Sequence, residues 1–291
     1  MLKNEQQVLS NFTAMIIRLQ LICYLFLALN VNAQYYFNDI ISIKQGNDQY
    51  RLLRAQKIAS VKAVSYEPDN SITEGFAVTQ EISRDGKKVT ITTTTNNQIG
   101  TTVNTYDLGI LKRTQSNNKN ISNKTDYTYD AQGRINRVHL STVDTFMNST
   151  ISEIHDWSYD EYGAPSTMLR IKNNVDTLLV EFVKDDQQNI GEEIWRKNGR
   201  IVERYYYYYN SNKQLTDIVR YNSKAKKLLP DFIYEYNTAN QLSQMTQFSL
   251  GSNNYFVWKY KYNDKGLKTE EVCSDKSKLQ IGRIEYQYTG L

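Results

Sequence analysis

Histidine is the side chain best suited to general acid–base work near neutral pH. This chain has two, His139 in Arg-Val-His-Leu-Ser and His155 in Glu-Ile-His-Asp-Trp. His155 stands beside Asp156, which invites a triad in which an acid orients an imidazole toward a nucleophile. Both histidines, however, lie in stretches that read as strand, where adjacent side chains point to opposite faces. His155 and Asp156 would then be parted. No Gly-x-Ser-x-Gly elbow offers a nucleophile, and no His-Glu-x-x-His or paired-cysteine pattern offers a metal site. Glycoside hydrolysis needs two carboxylates about 5 to 9 Å apart. Asp156, Asp160, Glu192 and Glu203 are candidates, and nothing in their spacing selects a pair. Cys273, in Glu-Glu-Val-Cys-Ser, reads as a buried strand thiol, and the 13 glycines fall mostly at turns rather than in a phosphate-cradling loop. The sequence therefore assigns no catalytic, cofactor-binding or metal-ligating residue.

Tyrosine is the unusual feature, with 23 in 291 residues. Five are consecutive, Tyr205 to Tyr209, which in a strand puts three rings on one face and two on the other. Two readings follow: exposed rings that anchor a sugar or a protein, or aromatic ladders that cover neighbouring strands. The other tyrosines are patterned as well. Aromatic-x-Tyr-Asp/Asn-x-x-Gly-x-Leu/Ile is clearest in Tyr127-Thr-Tyr129-Asp130-Ala-Gln-Gly133-Arg134-Ile135. It returns with turn-opening positions at 130, 160, 185, 210, 237, 263 and 289, in steps of 30, 25, 25, 27, 26 and 26. A period in this range marks stacked supersecondary units.

Each unit reads as a β-hairpin. Rings two residues apart share a strand face, Asp or Asn opens a turn through its own downstream backbone, and Gly supplies a positive φ. Phe256, Trp258, Tyr260 and Tyr262 fall on one face and Lys259 and Lys261 on the other, so the sheet has an aromatic side and a charged side. The spacing Leu215…Ile218 and Leu242…Met245 breaks strict alternation and predicts a β-bulge just after each turn. Lys184 replaces the second aromatic residue in one copy, and Asn or Thr replaces Asp in four of seven. A hard cation would discriminate against that loss of charge. An Asx-turn would not, and the turn residue is read as structural.

Upstream the pattern fades. Ile58 to Tyr66 reads as a strand, Ala77 to Asn97 as a hairpin turning at Arg84-Asp85-Gly86-Lys87, and Thr101 to Arg113 as a worn copy around Tyr106. Gln115 to Lys124 reads as a polar, asparagine-rich loop. Phe37 to Ala55 is the one candidate for helix, and Gly46-Asn47 in its middle predicts two short helices rather than one.

At the N-terminus, Met15-Ile16-Ile17-Arg18 leads into the apolar run Leu19 to Leu29 and then Val31-Asn32-Ala33. This is the pattern of a secretory signal, with cleavage expected after Ala33 and a physiological start at Met15. The run is too short to span a bilayer, and Ile22 before Cys23 argues against a lipoprotein site. The remaining segment, 34–291, is expected to form a single domain with 33 basic and 30 acidic residues of mixed order. It lacks the concentrated basic face of a nucleic-acid binder.

The first copy resembles the YD repeat of the RHS family, and the resemblance extends over roughly residues 125–291. About six copies are too few for the shell that large RHS proteins build. The resemblance points instead to short secreted Bacteroidetes proteins with degenerate YD-like repeats. It implies an all-β fold, a long antiparallel meander of hairpins that curls or partly closes in a porin-like way, after a short helical segment. The expected function is a non-catalytic, exported envelope or binding module with a repetitive aromatic sheet surface. Its partner would be a polysaccharide or an envelope protein. The alternative is an extracellular glycan hydrolase. Charges on the non-aromatic face and a mean hydropathy of −0.61 argue against a barrel embedded in the membrane.

Overall fold

The computed structural model describes residues 35–222, 226–249 and 254–291; the expected signal segment lies outside them. Strand propensity and period-two patterning dominate, and the chain after one helix, α1 (Asn38–Ala55), is entirely β. The first strands are β1 (Ile58–Tyr66), β2 (Phe76–Ile82), β3 (Lys88–Thr95), β4 (Gln98–Asp107), β5 (Ile110–Asn118) and β6 (Ile121–Tyr129). There follow β7 (Ile135–Asp144), β8 (Ser149–Tyr159), β9 (Pro165–Lys172), β10 (Asp176–Lys184), β11 (Ile190–Lys197) and β12 (Arg200–Tyr209). The last are β13 (Leu215–Asn222), β14 (Lys227–Tyr236), β15 (Leu242–Phe248), β16 (Tyr255–Tyr262), β17 (Lys268–Asp275) and β18 (Gln280–Gly290). Each pairs antiparallel with the next, and β18 pairs with β1 from Ile58↔Gly290 to Tyr66↔Arg283. The meander is thus an 18-stranded closed barrel. Among the described residues, no helix is long and apolar enough to cross a membrane.

Closure gives the sheet an inside and an outside, and the aromatic face goes inside because it carries the larger apolar area. Trp258 and Tyr260 are buried while Lys259 and Lys261 are exposed. The outer wall carries cross-strand ion pairs, among them Arg113–Asp126 (2.5 Å), Arg137–Asp156 (2.5 Å), Arg196–Glu181 (2.7 Å) and Lys261–Glu270 (2.7 Å).

The turns follow the sequence pattern closely. Oδ1 of Asp130 accepts the N–H groups of Gln132 (3.0 Å) and Arg134 (2.8 Å). The same pair of bonds recurs at Asp160, Asp185, Asn210, Asn237 and Asn263. Amide and carboxylate oxygens serve alike because both present the same acceptor. The third residue onward has positive φ, at Gly133 (76°) but also at Lys213 (58°) and Asn240 (60°). Just after each of these turns the register shifts by one residue, as between Thr128↔Arg137 and Tyr129↔Ile135. Those are the expected bulges, and they recur at Tyr159, Lys184, Tyr209, Tyr236 and Tyr262.

The bulge also explains the second tyrosine of the motif. The β7–β8 ladder ends at Arg137↔Asp156, which leaves the carbonyl of Ile135 beyond the reach of β8's backbone. The Tyr159 hydroxyl donates to it at 2.6 Å. Tyr209, Tyr236, Tyr262 and Tyr288 donate in the same way to Ile190, Leu215, Leu242 and Lys268. Each repeat that carries this tyrosine is thereby latched to the one before it; the copy with Lys184 pairs instead with Asp160. Tyr236→Phe should lower the unfolding free energy by about 1 kcal/mol in denaturant titration. Tyr208→Phe, on the outer wall, should change it by at most a few tenths. An equal loss from both variants would refute the latch.

Two expectations are corrected. Residues 38–55 form one helix rather than two, because Asn47 turns inward and its Oδ1 accepts the Leu111 N–H at 3.0 Å. Tertiary bonding overrides the weak propensity of Gly46-Asn47. Residues 115–124 are not a loop: β5 and β6 run through them to a tight turn at Lys119-Asn120. Their polar side chains bond laterally, as in Ser122 to Asn117 (2.8 Å) and Thr142 to Asn123 (2.7 Å).

Candidate functional site

A sheet of 18 strands encloses a lumen wider than wall side chains alone can fill. Tyr35–Phe37 and α1 occupy the mouth at which the tyrosine-marked turns lie. Tyr35 packs against Tyr205, Tyr207 and Phe232 with ring centres 6.0–6.1 Å apart, and Tyr36 against Trp195 at 4.8 Å. At the other end of the helix, Tyr50 stacks on Tyr106 at 3.9 Å and its hydroxyl donates to the Gly86 carbonyl.

The polar contacts at the start of this plug gather a buried cluster of titratable groups. The start of α1 leaves N–H groups unpaired, and Glu193, from β11, takes two of them. Its Oε1 accepts Tyr36 N–H (2.7 Å) and Trp195 Nε1–H (2.6 Å); its Oε2 accepts Phe37 N–H (2.9 Å) and the Tyr207 hydroxyl (2.6 Å). Glu193 is fully buried. Burial raises its pKa, against the pull of those four donors. The acid also sits at the positive end of the helix dipole.

One turn further on, Asp39 Oδ2 meets His155 Nδ1 at 2.6 Å and accepts from Trp157 Nε1 at 3.3 Å. His155 Nε2 lies 2.9 Å from Glu153 Oε1. Burial acts to lower the imidazole's pKa, but the two carboxylates outweigh it and hold it at about 9. His155 is therefore a buried imidazolium at neutral pH. Burial acts to raise the Glu153 carboxyl, but His155, Arg170 and Lys172 outweigh it and lower its pKa. Burial pushes the Tyr36 hydroxyl, beside Arg170, well above its ordinary range.

The residues singled out by type are scattered. His155 and Asp156 do part, His155 inward and Asp156 outward to Arg137. His139 is on the outer wall, 3.0 Å from Ser152 Oγ. Asp160 forms its turn and pairs with Lys184 at 2.5 Å, and Glu192 pairs outward with Arg204 at 3.0 Å. Glu203 accepts the Arg204 N–H at 3.2 Å. These four acids are not brought together as a catalytic pair. Cys273 is fully buried, and burial pushes its thiol up to about 12, far from the thiolate a nucleophile needs. Of the five consecutive tyrosines, Tyr205 and Tyr207 are in the core with Tyr209 beside them, and Tyr208 is half exposed outside. The repetitive aromatic face thus lines the interior rather than facing a ligand. Among the described residues, no group of three or more His, Cys, Asp and Glu side chains could hold a metal ion.

Sequence reasoning missed Glu193, Glu153 and Asp39. A signal was there: Glu193 is two residues from Trp195, and Glu153 two from His155 and four from Trp157, so each is an acid on the aromatic face.

No protein-family model and no curated protein matches the chain. Solved structures similar to it include a porin-like protein from Bacteroides uniformis, at 8% identity and a TM-score of 0.39 over 80% of this chain and 98% of that one. A porin-like protein from Bacteroides vulgatus is 12% identical, with a TM-score of 0.31 over 80% of this chain and 100% of that one. The Tc holotoxin pore of Photorhabdus luminescens is 14% identical, with a TM-score of 0.33 over 74% of this chain. The chain spans 12% of the length of that toxin component.

Proposed function

We propose that the protein is a non-catalytic, exported module of the cell envelope, built as a single unit from degenerate YD-like hairpins. Its plugged barrel would offer its outer wall and rims to a polysaccharide or protein partner. The observation that carries this reading is the commitment of the reactive groups. Both ring nitrogens of His155 are taken by carboxylates, and each oxygen of Glu193 accepts two donors. An imidazole with no free nitrogen cannot activate a nucleophile, and a carboxylate so saturated cannot exchange a proton with substrate. These groups hold a helix in place.

The outer wall also favours a barrel that is not embedded in lipid. Ion pairs on β5–β6, β7–β8, β10–β11 and β16–β17 would interrupt an apolar band, and a charge at mid-bilayer costs about 2–4 kcal/mol. The test is to incubate residues 34–291 with envelope and dietary glycans. The expected result is retention of some glycans with no new reducing ends. Release of new reducing ends would establish the hydrolase instead.

A further inference from the structure

The two mouths of the barrel differ in chemistry. In a meander every second connection lies at the same end, so β1–β2, β3–β4 and so on to β17–β18 form one rim. The plug fills the opposite mouth. On the rim away from the plug, Ile72, Ile99, Phe146, Met147, Val175 and Leu279 are between 62% and 82% exposed. They come from the β1–β2, β7–β8, β9–β10 and β17–β18 connections and, for Ile99, from the start of β4, which puts them on one arc of the rim. Phe146 and Met147 stand on a turn fixed by Asp144, whose Oδ1 accepts both their N–H groups at 2.9 Å, so the chain is held with these side chains outward. Scattered single apolar residues on a surface are ordinary; an arc of them on one end is not. Among the described residues, the plugged end offers only Leu108, Tyr162 and Leu291 of this kind.

Charge divides the same way. Exposed cations stand on the same rim as the apolar tips: Lys119, Arg200, Lys226, Lys227, Lys276 and Lys278. Acids stand among them too. Asp144 and Asp275 accept backbone N–H groups, and Asp176 holds Arg170 and Lys197. Glu67, Asp69 and Glu74 of the β1–β2 connection stand on this rim as well, Asp69 accepting the Ser71 N–H and hydroxyl. The turns of the plugged end carry both signs with acids in excess: Asp85, Asp107, Asp130, Asp160, Glu161, Asp185, Asp186 and Asp264 against Arg84, Lys87, Arg134, Lys213 and Lys265.

We infer that the rim away from the plug docks on an anionic lipid surface, its apolar tips entering the headgroup layer and its cations meeting lipid phosphates. An arc of projecting tips suits an extended surface, and the excess of cations on this rim selects an anionic one. A second copy pairing rim to rim would bring like charges together. The inference goes beyond the function proposed above, since it would hold even if the barrel turned over a glycan.

The test is co-sedimentation of residues 34–291 with vesicles of phosphatidylcholine alone or mixed equally with phosphatidylglycerol. Binding is expected to the mixed vesicles and to weaken with added salt. Phe146→Ser with Met147→Ser should weaken it at least about tenfold, and Lys226→Gln with Lys227→Gln roughly thirtyfold. Leu108→Ser with Tyr162→Ser, at the plugged end, should leave it unchanged. Unaltered thermal midpoints would show that the variants fold. The inference is overturned if mixed vesicles are not bound, or if the plugged-end variant weakens binding equally. It also fails if the Phe146 and Met147 variant only breaks up a dimer.

Discussion

Glu193→Ala is expected to lower the unfolding free energy by about 3–5 kcal/mol, the loss seen when a buried charged group is removed from its partners. Four donors lose their acceptor at once: two backbone N–H groups at the helix start, an indole and a phenol. The donors on Tyr36 and Tyr207 cannot turn to water, because both residues are buried. Against a typical total of 5–15 kcal/mol, this is enough to lower the melting midpoint by about 10 °C. Glu193→Gln should fall between wild type and alanine, since its amide oxygen keeps one pair of donors while its NH2 opposes the other. Tyr207→Phe should cost least of the three. Differential scanning calorimetry of the series checks this. A Glu193→Ala variant as stable as wild type would mean that the helix is held by ring packing alone.

Stability should fall by about 3 kcal/mol between pH 6.5 and pH 9 and beyond, and the fall should disappear in His155→Gln. The unfolded imidazole titrates near 6.5, and the folded one is held at about 9. A raised histidine pKa gives stability that is complete below the unfolded value and is lost as pH rises through the folded one. The charged groups facing His155 are Asp39 on the helix and Glu153 on its own strand, with Arg170 next to the neighbouring Tyr36. When the imidazolium loses its proton, one ring nitrogen must face a carboxylate as an unprotonated acceptor. His139, on the outer wall, gives a matching control in His139→Gln. Urea midpoints measured across this range decide the matter, and a flat profile for wild type would remove the buried imidazolium from the account.

The hairpins could be read from the sequence because each depends on neighbours in the chain. Asp130 bonds N–H groups two and four residues away, and the bulge it sets up falls five residues on. Alternation then sorted Trp258 and Tyr260 from Lys259 and Lys261 without reference to any distant strand. The continuous helix was hidden because its stability at Gly46-Asn47 comes from Leu111, 64 residues away from Asn47. The polar strands at 115–124 were hidden for a similar reason: their partners are side chains of adjacent strands, which a one-dimensional pattern does not display.

Local chemistry, then, determined the repeating unit, the turn, the bulge and the division of the sheet into an aromatic and a charged side. Only the tertiary structure decided that β18 meets β1, and with closure which side became interior. Closure brought Glu193 within 2.7 Å of a backbone 157 residues earlier, and Asp39 to His155 across 116 residues. Such contacts depend on how the accumulated twist and register of eighteen strands return the sheet to its first edge, a sum over the whole chain that no single repeat contains.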